Sequence, residues 1–521
     1  MQEKNLLKGW FKWMSSGQKS ELKSGVILSY INLGLGTIIP FVYTPVMLKM
    51  LGQSEYGLFS LASSAVSYLS LLSFGFGSTI IRYISKYRAE GDKESEEKSF
   101  GFFLILYNVL AALVFICGMI IANNIEPIFH RGLMADEVKK MKILVMIMTF
   151  NSAVSFPNSV FSSMITAHEK YIFRKWVDMI STVMAPLANL IALYLGYASV
   201  GMASAATIVQ CIMLPINALY CVKKIRIKPV VAKLPQSLIK EMLGFSLFSF
   251  VGAIVDMLFW STDKVILGMR SGSIAVAVYN VGSTFNNMVM NLSTSISGVL
   301  VPRVTGMVIK KTPKDELTML FIRIGRLQFV VIALIVSGFT VFGQAFIRLW
   351  AGAGYADAYW VAVLTMFPLC IPLIQNIGLT IVTAQNKHHF RAIVYLIIAI
   401  MNVISTYLIV PYLGIYGATA CSCVSYIVGQ GVVMNIYYYK VTGLNIPLFW
   451  REILKMAIVP AGMLVSGLFL NKICTVDTWG SFLTGVIFFT GIYVLFMYRF
   501  SLNKYEKELF GAPIKKFFKY E

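Results

Sequence analysis

Fourteen apolar stretches, each close to twenty residues long, follow one another along this chain with only short polar links between them. A helix rising 1.5 Å per residue needs about 20 apolar residues to cross a hydrocarbon core of roughly 30 Å. Each stretch therefore reads as one pass of a bilayer. Backbone groups in lipid must be satisfied inside the spanning element, and runs of this length containing Gly and Pro exclude the ten-residue alternation of an outer-membrane barrel. The sequence predicts an all-α polytopic membrane protein of about 14 transmembrane helices, at 25–48, 57–81, 99–122, 143–167, 177–196, 199–222, 243–268, 273–300, 327–347, 358–384, 392–412, 414–438, 452–471 and 480–498.

Composition supports the reading: 57% hydrophobic and 13% charged residues, with mean hydropathy +0.72, leave too little polar surface for a soluble globule of this length. The formal charge of +21 would suggest nucleic acid in a soluble protein. Here the basic residues sit in juxtamembrane links. The termini and the links after even-numbered spans, with Lys455 at the start of the thirteenth span counted among them, carry 36 Lys and Arg, those after odd-numbered spans carry 8, and Lys264 lies within the seventh span. Positive-inside orientation then puts both termini in the cytoplasm, and the placement of the basic residues speaks against a nucleic-acid partner. Residues 1–24 lack the apolar core of a cleavable signal. Leu6, Leu7, Trp10, Phe11 and Met14 recur at helical spacing there, which fits either an interfacial helix or a frayed basic tail.

The chain repeats itself. Thr166 to Arg174 and Thr383 to Arg391 share five identities in nine at an offset of 217, the length of six helices. Leu195-Gly196 and Leu413-Gly414 recur at 218, Leu51-Gly52 and Leu267-Gly268 at 216. An even number of helices per copy keeps the copies parallel, as in transporters built of two lobes. The expected plan is two pseudo-symmetric six-helix lobes plus two C-terminal helices. It comprises a basic segment 1–24, an N-lobe 25–222, a link 223–242, a C-lobe 243–438, an additional pair 439–498, and a basic tail 499–521.

Enzyme chemistry finds no foothold. His130, His168, His388 and His389 all sit in links without partners at metal spacing, and the seven cysteines, six of them within apolar runs, suggest packing rather than disulfides. Gly34-x-Gly36 and Gly75-x-Gly77 imitate nucleotide-loop fragments, but no strand precedes them, and close helix packing or local bending accounts for them better.

Two six-helix lobes with two extra helices, the stretch Leu51 to Ser60, the stretch Gly75-Phe76-Gly77 to Ile84, and Asp263 to Gly268 together resemble the Wzx-type polysaccharide-biosynthesis (O-antigen, oligosaccharide) flippases. These belong to the multidrug/oligosaccharidyl-lipid/polysaccharide exporter superfamily. The resemblance implies a non-enzymatic transporter. Its cargo would be an undecaprenyl-diphosphate-linked oligosaccharide, moved by alternating access from inner to outer leaflet of a bacterial cytoplasmic (inner) membrane through a cavity lined by helices one, two, seven and eight. It also implies a polysaccharide polymerase and glycosyltransferases as partners, and no cofactor beyond a coupling ion, H+ or Na+. Runner-up readings are an ion-coupled multidrug-type antiporter, a lipid II flippase, and a non-transporting scaffold of a glycan-assembly complex.

A diphosphate needs a hydrated cationic path through hydrocarbon, for which Arg is suited by its permanent charge and bidentate geometry. The candidates are Arg82, Arg303, Lys49, Lys264 and Arg270; snorkelling to headgroups explains the three arginines as well, and pairing with a neighbouring acid explains Lys264. Asp256 and Asp263 are costly within a span, and their seven-residue spacing puts them on one helical face with Trp260. They read as sites coupling transport to a cation or proton, or as partners of Lys264 or Lys49. The Asn residues within spans, with Gln375, read chiefly as ties between helices.

Overall fold

The computed structural model describes residues 16–231, 236–298, 300–385, 387–473 and 476–508. The proposed interfacial residues Leu6 to Met14, Cys474 and most of the basic tail lie outside them, as do residues 232–235 of the link after the sixth span. Among the described residues every regular element is helical.

Among the described residues nine helices are long and apolar enough to cross a membrane, and eleven are if each of two bent pairs counts as one span. The expected fourteen is larger for a physical reason. The helical stretches Ile31–Glu90 (60 residues) and Phe390–Thr442 (53 residues) count once each, yet at helical rise either would exceed twice the hydrocarbon thickness. Gly52 (φ 75, ψ 173) breaks the first and Gly414 (φ 53, ψ −131) the second, both in backbone regions that favour glycine. Gly196, the repeat equivalent of Gly414, also has positive φ, at 83°. The Leu-Gly signature thus marks a chain reversal in both copies.

Packing divides the chain into two compact units, Met1–Ala277 and Val278–Glu521. In the first, the helix Ala135–Ala167 packs against Lys93–Asn123 and Ala198–Tyr220, while Ser16–Ser67 packs against Tyr171–Tyr194. A Cβ on Gly118 would strike the Thr149 side chain, so glycine sets one of these approaches. Asn151 donates to Thr207 at 3.3 Å and Asn217 to Asn158 at 2.8 Å, the ties expected of polar groups within spans. Gly34, Gly36 and Gly77 do not serve close packing, because a Cβ on any of them meets nothing within 4 Å. Gly75, at φ 69°, is a true bend between the turn Tyr68–Ser73 and the helix Phe76–Glu90.

The seventh span is built from Gln236–Trp260 and Thr262–Arg270 and packs within the first unit. Ser246 shares a hydrogen bond with Thr79 at 2.7 Å, Ser261 shares one with Ser67 at 3.2 Å, and Thr262 bonds the Tyr68 hydroxyl. Kinship in the repeat begins the second lobe at 243, whereas these contacts carry the packing boundary to Ala277.

In the second unit the long helix Lys314–Trp350 is the centre, with Ile446–Ile473 and Trp479–Phe496 packed along it. Val341, Met456, Met463, Phe489 and Tyr493 form their shared core, so the two added helices are integral to this unit. Lipid offers no hydrophobic drive between helices, and such interdigitation with interhelical hydrogen bonds holds them instead. Tyr493 donates to the Val330 carbonyl at 2.8 Å and Asn471 to that of Val341 at 2.9 Å.

Candidate functional site

The first unit carries a hydrogen-bonded latch at one end. Glu137, in the first turn of Ala135–Ala167, accepts the hydroxyls of Ser54 and Ser273 at 2.6 Å each and the backbone N–H of Met134 at 3.0 Å. One carboxylate thereby joins the end of the first span, the start of the fourth and the start of the eighth. Beside it Glu55 pairs with Lys140 and accepts the Ser199 hydroxyl, adding the start of the sixth.

Glycine makes this convergence possible. A Cβ on Gly57 would overlap the Ser273 carbonyl, and one on Gly132 would overlap the Gly268 carbonyl. Gly272 follows at φ 90°. Backbone meets backbone at these points, so the latch rests on shape as well as on charge. Charge-assisted hydrogen bonds are roughly twice as strong as neutral ones, yet each can open without breaking a helix. The arrangement suits an element with two discrete states.

Sequence reasoning missed these residues. Glu55 and Glu137 lie in links, where an acid is unremarked, and only the surrounding Ser and Gly residues at Ser54, Gly57, Gly132, Gly272 and Ser273 hinted at close approach.

The residues singled out from sequence are placed differently from one another. Arg82, on the helix Phe76–Glu90, is exposed, as are Lys49 and, in the second unit, Arg303 on Val301–Ile309. Arg270 ends the helix Thr262–Arg270 and is half-buried. Asp263 is 1% exposed and interacts electrostatically with Lys264, itself half-buried, and with Tyr68. Asp256 is exposed. Between the two acids the span bends at Ser261, where Gln236–Trp260 gives way to Thr262–Arg270 while helical backbone bonds continue from Met257 to Val265. The structure brings together Asp263 and Lys264.

The polysaccharide biosynthesis protein family matches residues 22–308, more than half of the chain. The chain belongs to this family. The relatives of this family member include the uncharacterized membrane protein EpsK of Bacillus subtilis, 20% identical over 91% of this chain and 94% of that one. Among solved structures, the lipid II flippase MurJ in an inward closed conformation superposes with TM-score 0.72 at 15% identity, covering 94% of this chain and 99% of MurJ. A MATE-family multidrug transporter of the MOP superfamily in an inward-facing conformation gives TM-score 0.58 at 16% identity, over 77% and 96%. This polysaccharide biosynthesis protein shares the fold of these two transporters.

Proposed function

We propose that the protein moves a glycan carried on undecaprenyl diphosphate from the cytoplasmic to the outer leaflet of a bacterial cytoplasmic membrane by alternating access. The family match carries this reading, since polysaccharide assembly requires a carrier-linked intermediate to change leaflets. The 36 to 8 bias of basic residues supports cytoplasmic termini, which sets the Glu137 latch at the outer face. With the latch shut, the ends of the first, fourth and eighth spans are held together on that side; its release is the step that admits the outward state. The diphosphate is compensated by Arg82, Arg303, Lys49, Lys264 and Arg270, while the prenyl tail stays in lipid. Asp256 and Asp263 are the candidate acids for coupling transport to a cation gradient. The polymerase and glycosyltransferases of the same polysaccharide are its expected partners.

The test is deletion of the gene in its own host. Loss of surface glycan with accumulation of the lipid-linked precursor is expected, restored by the wild-type chain and not by Arg82→Ala with Arg303→Ala at equal membrane level. Normal display in the deletion strain overturns the reading, and normal display with the double variant returns those arginines to headgroup anchoring.

A further inference from the structure

Within the first unit, the helices Ala135–Ala167, Tyr171–Tyr194 and Ala198–Tyr220, with Ile81 of Phe76–Glu90, line an open cavity of about 560 Å³. Polar groups share its lining with Ile81, Val177 and Met213: Asn158, Gln210 and Asn217 present amides, and Ser155, Thr166 and Ser181 present hydroxyls. Such a lining is unusual among membrane helices, where each unpaired polar group is costly.

The two charged groups of its lining, Arg174 and Asp178, neutralise each other. Arg174 reaches Asp178 at 2.9 Å and donates to the Ser162 hydroxyl at 2.8 Å, and Lys175 flanks the same acid at 4.0 Å. A cation would have to displace Arg174 from Asp178, and an anion would have to draw Arg174 away from it. What is left to bind is a neutral, hydrogen-bonding ligand. Ser155 and Thr166 spend their protons on the carbonyls of Ser152 and Ser162, so their oxygens face the cavity as acceptors. Asn217 is 1% exposed, donates its amide to Asn158, and has an Oδ1 that accepts no hydrogen bond. A buried acceptor of this kind costs about 1–3 kcal/mol until a donor reaches it.

The repeat shows that the cavity is not a by-product of the fold. The second unit ties the equivalent pair in the opposite sense, Gln375 donating to Asn435 Oδ1 at 2.8 Å, 217 and 218 residues after Asn158 and Asn217. There Asn435 Oδ1 also accepts the indole N–H of Trp450 at 2.9 Å. At the positions equivalent to Ser162, Asp178, Ser181 and Gln210 stand Leu379, Tyr395, Ile398 and Val428. Arg391, equivalent to Arg174, lies over the Tyr395 ring at 4.6 Å. In the second copy the acceptor is satisfied and Ile398 and Val428 line a smaller, largely apolar cavity of about 240 Å³; in the first the cavity is larger and carries amides and hydroxyls.

We infer that this cavity is a carbohydrate site of the first unit, which takes a neutral sugar ring through amide and hydroxyl hydrogen bonds with a ring hydroxyl donated to Asn217 Oδ1. Its volume lies within the roughly 300–1,000 Å³ of small-molecule pockets. Many acceptors and several amides converging without net charge suit vicinal hydroxyls better than any ion. The inference takes from the proposed function only the source of the sugar, the glycan of the lipid-linked cargo.

The experiment uses the full chain in its host, with the photoreactive residue p-benzoylphenylalanine at Met213, which lines the cavity, and in a second strain at Ile81, which also lines it. After irradiation, the purified protein is digested and its adducts are identified by mass spectrometry. Sugar-bearing adducts are expected from the native lining. They should fall at least tenfold at equal membrane level in Gln210→Val with Ser181→Ile, which installs the second unit's residues and leaves the Arg174–Asp178 pair and the Asn217–Asn158 bond intact. The absence of sugar adducts from both probe positions, in cells whose glycan display depends on the chain, overturns the carbohydrate site while the flippase reading stands. Equal adduct yield in the double variant overturns it too. Display that does not depend on the chain removes the flippase reading instead.

Discussion

Glu137 accepts the Ser273 hydroxyl at 2.6 Å across 136 residues of chain, and the same oxygen accepts Ser54. Hydrogen bonds to a charged group are worth about 1.5–3 kcal/mol each, so losing one shifts a two-state equilibrium by roughly tenfold or more. Glu137→Ala should therefore populate the state in which this end is open. With the native cysteines replaced and a single cysteine at Ser67, an impermeant maleimide applied from outside should label the variant at least several-fold faster than the parent. Identical labelling rates would remove Glu137 from any gating role.

Gly57→Ala tests the same closure through shape. Its new methyl would occupy the space of the Ser273 carbonyl, so the helices must part even with every hydrogen-bonding group present. The expected result is the accelerated labelling seen with Glu137→Ala, together with lower transport. Gly34→Ala is the control, since its methyl meets nothing within 4 Å and should leave both unchanged.

Arg326 and Glu506 form a buried pair in the second unit, with Glu452, itself held by Lys455, 3.2 Å from the same guanidinium. Arg326 donates through Nε and Nη2 to the two oxygens of Glu506 at 2.6 and 2.8 Å, and through Nη2 to the Ser501 carbonyl at 3.0 Å. Both residues are at most 5% exposed. Removing one partner of such a pair typically costs about 3–5 kcal/mol, whereas removing both is often neutral. Arg326→Met should lower the detergent-solubilised unfolding temperature markedly, and Arg326→Met with Glu506→Gln should recover most of the loss. A double variant no more stable than the single one contradicts this.

Asp92 caps the helix Lys93–Asn123 by accepting the Ser95 N–H at 3.0 Å. Hydrogen bonding by Ser95 holds its carboxyl below the usual carboxylate range. A folded value depressed in this way contributes stability above the unfolded value, and the contribution is lost as pH falls through the folded one. Amide exchange at Ser95 and Glu96 should quicken on acidification beyond the intrinsic pH effect. In Asp92→Asn, which caps without titrating, that excess should vanish.

The apolar runs and the six-helix offset carried the fold, because lipid leaves helices as the only economical way to satisfy the backbone and a duplicated unit keeps its reversals, as Gly196 and Gly414 show. What sequence did not reveal was where helices touch. The seventh span belongs by kinship to the second copy and by contact to the first unit, through Ser246, Ser261 and Thr262. Asp256 and Asp263 looked alike at seven residues' spacing until the bend at Ser261 gave them different surroundings. Asn158 and Asn217 were legible as ties between helices. Their opening onto a cavity was not, since that depends on the small residues of three helices meeting at one level.

The carboxylate that neutralises Arg326 follows the last long helix, Trp479–Phe496, and is 180 residues further along the chain. During synthesis the arginine, at the entry to the ninth span, is made long before Glu506, and Glu452, 3.2 Å from it in the finished fold, arrives first. The second unit therefore cannot reach its final packing until Glu506 has left the ribosome, and a chain released even a few residues earlier would present quality control with a buried guanidinium holding one of its two acids, Glu452.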